Sequence, residues 1–459
     1  MDFKLWSEMY EQEFIEKAKQ LLAIPSVYEE SEEYPYGKPI NDALQKMLEI
    51  AEQDGFATKQ VDGQAGHIEF GDGEELIGIL GHLDVVPAGE GWSTEPFNPV
   101  VKDGNLYARG AQDDKGPVMA AYIAMKMLKD KGFEPNKRIR LILGTDEERD
   151  WQGITHYFKK EEMPGTGFTP DASFPVIHAE KGLLDAYLTI PVHEGESSAA
   201  VKIVSLTGGD RLNMVPEDAV VRVKAEEEVA DRFQRYLEDQ TLEGKVEHGG
   251  DEIHLTLYGQ AAHASRPETG NNAIIRLLAF LQTEELPEIQ RQLIDYLHST
   301  FHATNGEGLG VSQSDEASGA LTSNLGSIQW ESQACQVGFN LRYPVTGNYE
   351  QIVGKLEEAA RRHEGKLRIY DHLPAIHLEK DHPFVTTLLS VYNRVTGEEA
   401  SVQSIGGATY ARTMESAVAF GAMFHDSPDT AHQKDEHVRI ADMVRAMEIY
   451  AASLYELTK

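Results

Sequence analysis

Apolar residues near the start of the chain form nearly continuous runs of strand length, separated by a segment with helical character. Residues 76–82 and 137–144 are such runs, which are typical of strands buried on both faces of a parallel sheet. Residues 118–131, between them, are rich in Ala and Met, which suits a helix packed against a sheet. A strand, a helix and a second strand in this order predict a βαβ unit with a right-handed crossover.

The middle of the chain has a different pattern, in which apolar and polar residues alternate over short segments. Residues 199–206 and 253–258 alternate in this way, and residues 272–281 and 349–363 have helical periodicity. Alternation is typical of antiparallel strands with one solvated face, so we predict a separate α+β domain here.

The first pattern returns in the last part of the chain, which predicts that one domain is inserted into another. Three later elements carry it: a helix at 383–396, an apolar strand at 417–424 and a final helix at 436–457. We therefore predict an α/β domain with a mostly parallel sheet, made of residues 1–185 and 377–459 and interrupted by an α+β domain of residues 186–376. The α/β domain is completed by two more helices and a strand, predicted at 1–24, 41–53 and 66–70.

The composition and the charge of the chain limit the classes of molecule that it could bind. The chain has 459 residues, too many for one compact core, and its 41% hydrophobic and 26% charged residues are ordinary for a globular protein. The formal net charge is −34, with 76 Asp and Glu against 42 Lys and Arg. Such a surface repels nucleic acids and anionic membranes, so we expect neither as a partner.

The cysteine content and the N-terminal segment indicate in which cellular compartment the protein is expected. Cys335 is the single cysteine, which excludes an intramolecular disulfide and a cysteine-based zinc site. Residues 1–24 form an acidic amphipathic pattern without the apolar core or the cleavage site of a signal peptide. No run approaches the ~20 apolar residues of a membrane span. We therefore expect a cytoplasmic protein.

The first buried strand ends in a histidine and an acidic residue. His82 and Asp84 are two positions apart, so in an extended chain both side chains point the same way, and the carboxylate can orient the imidazole from behind. In open α/β sheets, function is found at such strand ends. A metal-binding histidine needs this arrangement, although a strand-end histidine is more often a structural hydrogen-bonding group.

Two more pairs of acidic residues follow predicted core elements. Asp113 and Asp114 lie in a Gly-flanked loop that opens onto the next predicted helix, where a cation site and simple helix capping both fit. Glu147 and Glu148 directly follow the second buried strand. They could supply one metal ligand and one general base, although paired glutamates are usually surface residues.

Asp171 and His432 are further candidates at the ends of core elements. Asp171 lies between proline turns, and His432 lies in a polar loop after the last predicted strand. Each segment alone is ordinary, but five of them at the ends of one domain's core elements indicate a shared site. Two histidines, two terminal carboxylates and one shared carboxylate can bind two divalent ions ~3.5–4 Å apart, a set that selects zinc and allows manganese or cobalt. A nearby glutamate would then accept a proton from water and pass it to the leaving amine.

Eight motifs occur in the chain in an order that is known from one family. They are GHLDVVPAGEGW, RGAQDDKGP, GTDEE, PDASFP, NMVPEDA, AAHASRP, NLRYP and HQKDE. Together they resemble the dinuclear-zinc peptidase family of aminoacylases, succinyl-diaminopimelate desuccinylases and carnosinases, and most of all its bacterial PepV-type dipeptidases. The resemblance covers residues 22–451 and implies a zinc-peptidase-like catalytic domain, with the inserted domain as a lid.

Carried over position by position, the resemblance implies that five residues are metal ligands. His82 and Asp171 would hold one ion. Glu148 and His432 would hold the other ion, and Asp113 would bridge the two.

The resemblance also implies roles for residues next to these ligands. Glu147 would be the general base, and Asp84 would be the residue that orients His82. The peptide bond between Asp113 and Asp114 would be cis, which is rare when the second residue is not proline.

Three residues of the inserted domain match positions that reach the substrate in the family. His263 would stabilise the oxyanion of the tetrahedral intermediate, Arg342 would bind the substrate carboxylate, and Asn213 would contact the substrate. Without the resemblance, the same residues would be interpreted as a loop histidine, a strand arginine paired with surface acid and a turn asparagine.

The glycine-rich turn GGATY and the length of the lid complete the resemblance. Gly407 and Thr409 would belong to a loop that binds the substrate carboxylate. Ala408 stands where related dipeptidases usually have a third glycine, and its methyl group could obstruct the approach of the backbone to the substrate. Dimeric relatives have a lid about half as long as residues 186–376, and they take the oxyanion histidine from a partner subunit. The longer lid therefore implies a monomer.

We therefore expect a metallo-dipeptidase that cleaves dipeptides with free amino and carboxyl termini, using a water activated by two metal ions. Arg342 and the Gly407 loop would hold the carboxylate, and acidic groups near the metals would hold the ammonium. An N-acyl amino-acid deacylase with the same metals is the alternative. A metal-binding protein without catalysis is disfavoured because Glu147 is present, and phosphoester hydrolysis is disfavoured because no Lys/Arg cluster is found.

Overall fold

The chain forms two compact units in a computed structural model that describes residues 1–192, 197–331 and 333–459. The first unit consists of Met1–His178, His377–Gln403 and Thr409–Lys459. The second unit consists of Ala179–Ile376 and Ser404–Ala408. The sequence pattern placed the corresponding changes at 185/186 and 376/377.

The helices and strands follow one another in three blocks. The first block contains α1 (Phe3–Leu22), α2 (Lys38–Gln53), β1 (Ala57–Val61), β2 (Ala65–Phe70), β3 (Leu76–His82), β4 (Val100–Lys102), β5 (Asn105–Tyr107), α3 (Lys115–Asp130), β6 (Arg138–Gly144), α4 (Gln152–Lys160), β7 (Thr166–Thr169), β8 (Ala172–Ser173) and β9 (Val176–Glu180). The second contains β10 (Gly182–Pro191), β11 (Val201–Gly208), β12 (Asp218–Ala225), α5 (Glu228–Gln240), β13 (Glu243–Gly249), β14 (Glu252–Tyr258), a 3-10 helix (Pro267–Thr269), α6 (Ala273–Leu281), α7 (Glu288–Phe301), β15 (Ser314–Asp315), β16 (Gly319–Ala320), β17 (Thr322–Glu331), β18 (Ala334–Tyr343), α8 (Tyr349–Arg361), β19 (Lys366–Leu373) and β20 (Ile376–His377). The third contains α9 (Pro383–Thr396), β21 (Gln403–Ile405), a 3-10 helix (Tyr410–Thr413), β22 (Ala417–Phe420), β23 (Ala422–Met423), β24 (His437–Arg439) and α10 (Ile440–Thr458).

A mixed sheet forms the centre of the first unit, and its strands follow the order β1-β2-β6-β3-β7-β22-β9. The middle strands are parallel: β3 pairs with β6 from Leu76↔Arg138 to His82↔Gly144, and with β7 on its other side. β22 continues the parallel part beside β7, whereas β1, β2 and β9 pair antiparallel on the two outer sides. Every residue of β3 is buried, as its continuous apolar sequence predicted.

Helix α3 connects the two buried strands β3 and β6 and packs against both. It begins at Lys115, three residues before the predicted start, and α1 and α10 pack against it. Its residues from Lys115 to Met125 are all buried, which is possible because Ala and Met fill space closely on every side of the helix.

Two predicted boundaries near the end of the chain are wrong. The predicted strand at 417–424 is divided into β22 and β23, because Gly421 between them has a φ of +83°. A Cβ atom there would lie 2.3 Å from Cζ of Phe174, so this turn requires glycine. The final helix begins at Ile440 rather than at residue 436, since His437–Arg439 pairs with β5 as strand β24.

An antiparallel sheet forms the second unit, in the order β13-β14-β12-β11-β17-β18-β10-β19. α5 packs against β13 and β14, α6 against β12, β14 and β17, α7 against β17, and α8 against β19. Phe233, Phe280 and Trp330 are among the largest buried side chains of the core between them.

The two units confirm the predicted fold class, an α/β domain with parallel strands interrupted by an inserted α+β domain. The alternating pattern in the middle of the chain corresponds to the antiparallel strands, and the continuous runs correspond to the parallel ones. No helix in the described part of the chain is both long enough and apolar enough to cross a membrane.

Candidate functional site

The parallel strands of the first unit bring candidate residues to one edge of the sheet. β3 ends at His82, which pairs across to Gly144 at the end of β6, just before the Glu147–Glu148 segment. β7 ends two residues before Asp171. Because the carboxyl ends of parallel strands lie on the same side of a sheet, these segments meet there.

Five side chains at this edge form two groups that could hold metal ions. The potential ligand atoms within each group lie within 4.8 Å of one another, and the groups are His82, Asp113 and Asp171, and Asp113, Glu148 and His432. These are the two groups that the resemblance implied.

Asp113 belongs to both groups because its two oxygens face opposite partners. Oδ1 lies 3.0 Å from Nε2 of His82, and Oδ2 lies 2.9 Å from Nε2 of His432. The same nitrogen of His82 is 3.6 Å from Oδ2 of Asp171, and that of His432 is 2.8 Å from Oε1 of Glu148. A carboxylate in this position is suited to be shared between two ions.

Asp84 lies behind these groups and contacts His82 and the Glu147–Glu148 segment. Its Oδ1 accepts a hydrogen bond from the N–H of Glu147 at 3.2 Å, and its Oδ2 accepts one from the N–H of Glu148 at 3.0 Å. Nδ1 of His82 is closer to the backbone oxygen of Asp84 (2.9 Å) than to its carboxylate (3.4 Å). The imidazole is therefore oriented mainly by the Asp84 backbone, while the carboxylate fixes the two glutamates.

The residue after Asp113 is also part of the local structure. The Asp113–Asp114 peptide bond is cis, as the resemblance implied. Asp114 is fully buried, and its Oδ2 accepts a hydrogen bond from the N–H of His82 at 3.1 Å. Burial and the nearby charge of Asp171 raise the pKa of Asp114 well above its ordinary value.

The site brings several half-buried carboxyl groups close together. Burial raises the pKa of Glu147 well above its ordinary value, and burial together with the charge of Asp113 raises the pKa of Asp171 to about 7. Hydrogen bonds to Asp113 and Glu148 raise the pKa of His432 to about 11. Half-buried carboxylates that crowd together in this way are stabilised by a bound cation, and the oxygen and imidazole donors present fit divalent metal ions.

His263 and Asn213 are neighbours in the second unit. Nδ1 of His263 lies 2.7 Å from Oγ of Ser265, and the backbone oxygen of Asn213 accepts a hydrogen bond from the N–H of Ala264 at 2.9 Å. Both His263 and Asn213 are exposed. The backbone hydrogen bond thus joins the two loops, and each loop presents an exposed side chain.

Arg342, at the end of β18, is only 3% exposed and is held by a chain of polar contacts. Its Nε donates a hydrogen bond to Oδ1 of Asn340 at 2.9 Å, and Nδ2 of Asn340 donates to Oδ1 of Asp185 at 2.6 Å. Its Nη1 also donates to the backbone oxygen of Gly406. Sequence reasoning missed Asn340 and Asp185, although Asn340 stands in the quoted motif NLRYP.

The glycine-rich turn is divided between the two units. Gly407 belongs to the second unit and Thr409 to the first. Oγ1 of Thr409 accepts a hydrogen bond from the N–H of Ala411 and so caps a short 3-10 helix. Ala408 is not among the described residues with positive φ, so its methyl group does not strain the backbone of the turn.

Known proteins resemble this chain in sequence and in fold. Residues 78–456 match the model of peptidase family M20/M25/M40. The chain is 43% identical over 457 residues to "Putative dipeptidase YtjP" of Bacillus subtilis (strain 168), and the match covers 98% of each chain. Among solved structures, human carnosine dipeptidase 1 is similar with a TM-score of 0.60 at 15% identity, covering 99% of this chain and 98% of that chain. The YXEP protein of Bacillus subtilis, a dinuclear metal-binding M20 peptidase, is similar with a TM-score of 0.50 at 10% identity, covering 98% and 99%.

The two solved structures show that the fold is shared. The family model and the putative dipeptidase YtjP match most of the sequence. These matches confirm the family resemblance read from the eight motifs. The protein is accordingly a hydrolase that acts on peptide bonds, and its chain belongs to peptidase family M20/M25/M40.

Proposed function

We propose that this peptidase is a dipeptidase that works with two divalent metal ions, zinc first, with manganese or cobalt as alternatives. The observation that carries the proposal is the position of Asp113, whose two oxygens face His82 and His432 at 3.0 and 2.9 Å. His82 and Asp171 would hold one ion with Asp113, and Glu148 and His432 would hold the other. The YXEP protein, a dinuclear metal-binding peptidase of this family, supports the same metal count.

The donor atoms of the site determine which metal ions it would bind. Imidazole nitrogens and carboxylate oxygens bind zinc, and they also accept manganese or cobalt. Two such ions would polarise the carbonyl group of the substrate and make an attacking water more acidic.

Glu147 is proposed as the general base. Its backbone is fixed by Asp84, and its carboxyl group is close enough to His82, Asp171 and Asp113 for their charges to influence its protonation. Glu147 would take the proton from the attacking water and deliver it to the amine that leaves.

Residues of the second unit are proposed to bind the substrate. Arg342 would bind the free carboxylate through a guanidinium that Asn340 and Gly406 already hold in one orientation. Gly407 and Thr409 would contact the same carboxylate. A guanidinium held in one orientation favours a short peptide with a free C-terminal carboxylate, while the acidic groups of the first unit favour a free ammonium.

Two residues would act nearer to the reacting carbonyl group. His263 would stabilise its developing negative charge, and Asn213 would contact the substrate beside it. The two residues lie next to each other in the second unit, since Met214 and His263 form a β-bridge.

A substrate panel tests this proposal against the alternative of an N-acyl amino-acid deacylase. Purified protein would be assayed with alanyl dipeptides and with the same dipeptides N-acetylated, and its metal content would be measured in parallel. Faster cleavage of the free dipeptides, with two ions per chain, supports the dipeptidase. Preference for the acetylated compounds would contradict it and favour the deacylase.

Two further expectations from the sequence stay predictions. The length of the inserted segment predicts a monomer, which light scattering on the purified protein would test. The single cysteine and the acidic N-terminal helix predict a cytoplasmic location.

A further inference from the structure

A buried ion pair joins two of the motifs that carry proposed ligands. Nη1 of Arg109 lies 2.5 Å from Oε2 of Glu436, and the two side chains are 2% and 0% exposed. Arg109 precedes Asp113 in RGAQDDKGP, and Glu436 follows His432 in HQKDE. The pair therefore connects two ligand loops that lie more than three hundred positions apart in the sequence.

The other carboxylate oxygen of Glu436 holds the backbone of the Asp113 loop. Oε1 accepts hydrogen bonds from the N–H groups of Gln112 at 2.8 Å and Asp113 at 3.1 Å. The backbone oxygen of Glu436 accepts a third, from the N–H of Ala108 at 3.1 Å. Glu436 therefore fixes the position of the backbone from which the Asp113 side chain extends.

Arg109 extends this network to the loop that follows His82. Its Nη2 donates hydrogen bonds to the backbone oxygens of Pro87 and Ala88, both at 3.3 Å. The guanidinium group also lies 5.2 Å from the centre of the Trp92 ring. Arg109, itself part of the Asp113 loop, thus contacts the His432 loop and the loop that directly follows His82.

Gln112 reinforces the connection between two of these loops. Its Oε1 accepts hydrogen bonds from the N–H and the hydroxyl group of Thr430, at 2.7 and 2.6 Å. Its Nε2 donates to the backbone oxygen of Pro428 at 3.2 Å. Thr430 is two residues from His432, so the histidine loop is fixed on both sides, by Gln112 before it and by Glu436 after it.

A buried ion pair of this kind contributes little net stability. Removing both charges from water costs roughly several kcal/mol per ion, and a well-packed apolar pair is often as stable or more stable. Metal ligands, in contrast, must be held to within about 0.5 Å of their required positions. A network that joins the Asp113 loop, the His432 loop and the loop after His82 provides such positioning.

We infer that Glu436, held by Arg109, is a positioning residue that sets the spacing of Asp113 and His432 and thereby the affinity for the ion they would share. The inference rests on the proposed function, because these two residues are proposed ligands there. Substitution of a residue that holds a metal ligand in place commonly changes the metal affinity by about 10–100-fold.

The test is Glu436→Gln, which keeps the shape of the side chain. The new NH2 group must face either Arg109 or the two backbone N–H groups, so one donor meets another donor. Mn²⁺ is titrated calorimetrically into metal-free wild-type and variant protein. We expect two Mn²⁺ sites in the wild type, and roughly 10–100-fold weaker binding in the variant, at least at the site that Asp113 and His432 would share.

A second ion pair of the first unit provides a matched control. Nη2 of Arg140 lies 2.5 Å from Oε2 of Glu69, and the pair connects β6 to β2 rather than two ligand loops. Glu69→Gln makes the same chemical change in an ion pair. We expect it to lower the stability of the metal-free protein and to leave both Mn²⁺ affinities unchanged.

The outcomes separate this inference from the proposed function. Wild-type Mn²⁺ affinity in Glu436→Gln, or equal weakening in Glu69→Gln, overturns the positioning role. A wild-type protein without two Mn²⁺ sites overturns the proposed function as well. If Glu436→Gln lacks the native circular dichroism spectrum, Arg109→Lys replaces it, since lysine keeps the charge but loses the forked contacts to Pro87 and Ala88. Weaker binding at one site then supports the inference, and unchanged binding overturns it.

Discussion

The carboxylate of Asp84 accepts a hydrogen bond from the backbone N–H of Glu147, although the two residues lie 63 positions apart. The same residue also contacts Glu148 and, through its backbone, His82. It therefore joins the end of β3 to the end of β6. The proposed base, and the ligand next to it, have fixed positions relative to His82 through this one residue.

Glu147→Gln should keep the metal content of the wild type and lower kcat by about 10²–10⁴-fold, because an amide cannot accept the proton of water. Steady-state kinetics with an alanyl dipeptide, together with metal analysis, would measure both quantities. Glu148→Gln is the matched control: the same change at a proposed ligand should lower the metal content. Near-normal turnover in Glu147→Gln would show that Glu147 is not the general base.

Asn340→Ala should raise KM for dipeptides with a free carboxylate by roughly 10-fold, with a smaller change in kcat. Asn340 accepts a hydrogen bond from Arg342, and hydrogen bonds to charged groups contribute about 1.5–3 kcal/mol. Dipeptide amides are the control substrates, since they offer Arg342 no carboxylate and should be much less affected. An equal loss with amides would mean that Asn340 acts on the fold and not on carboxylate binding.

His263→Ala should lower kcat by about 10²–10³-fold while the metal ions stay bound, as expected when an oxyanion donor is removed. The ring is oriented by a contact of 2.7 Å between its Nδ1 and Oγ of Ser265. His248→Ala removes another exposed histidine of the second unit and should have no effect on turnover. If His263→Ala lost metal instead, the residue would have to be reassigned as a ligand.

His67 should make the folded protein sensitive to acid. Its ring is buried, with Nδ1 2.8 Å from the hydroxyl group of Tyr157, and burial lowers its pKa to about 4 from 6.5. Between these two values the unfolded chain binds a proton that the folded chain does not, so the contribution of His67 is complete above pH 6.5 and is lost as the pH falls toward 4.

Urea unfolding of metal-free protein at pH 7 and pH 5 would measure this contribution. The wild type should lose about 2 kcal/mol more than His67→Gln between the two pH values. The same pH dependence in both proteins would show that His67 is not the group responsible.

Some elements were predictable from the sequence because their own residues determine them. The strand Leu76–His82 and the helix Pro383–Thr396 have the bounds that the apolar pattern predicted, since burial on both faces or on one face leaves a direct trace in the sequence. The five proposed ligands were collected by the family motifs, and the structure brings the same five together.

Other features depend on contacts between distant residues, which one sequence does not record. Asn340 supports Arg342 from the same strand, but Asp185, which completes that chain of contacts, comes from another strand. Glu436 was predicted to begin a helix, and instead its carboxylate binds the Asp113 loop. The sequence pattern around Glu436 favours a helix, but the buried hydrogen bonds of its carboxylate hold the residue outside the helix.

The two proposed metal groups have a consequence for how the protein is made. Asp171 and His432 lie on opposite sides of the inserted segment, Ala179–Ile376, in the order of synthesis. A ribosome therefore makes the whole second unit before the last ligand of the first unit exists. If the ions bind only the finished arrangement, free metal stabilises the folded state by mass action and does nothing for a partly made chain. Metal supply would then govern how much of the newly synthesised protein stays folded, in addition to how fast it works.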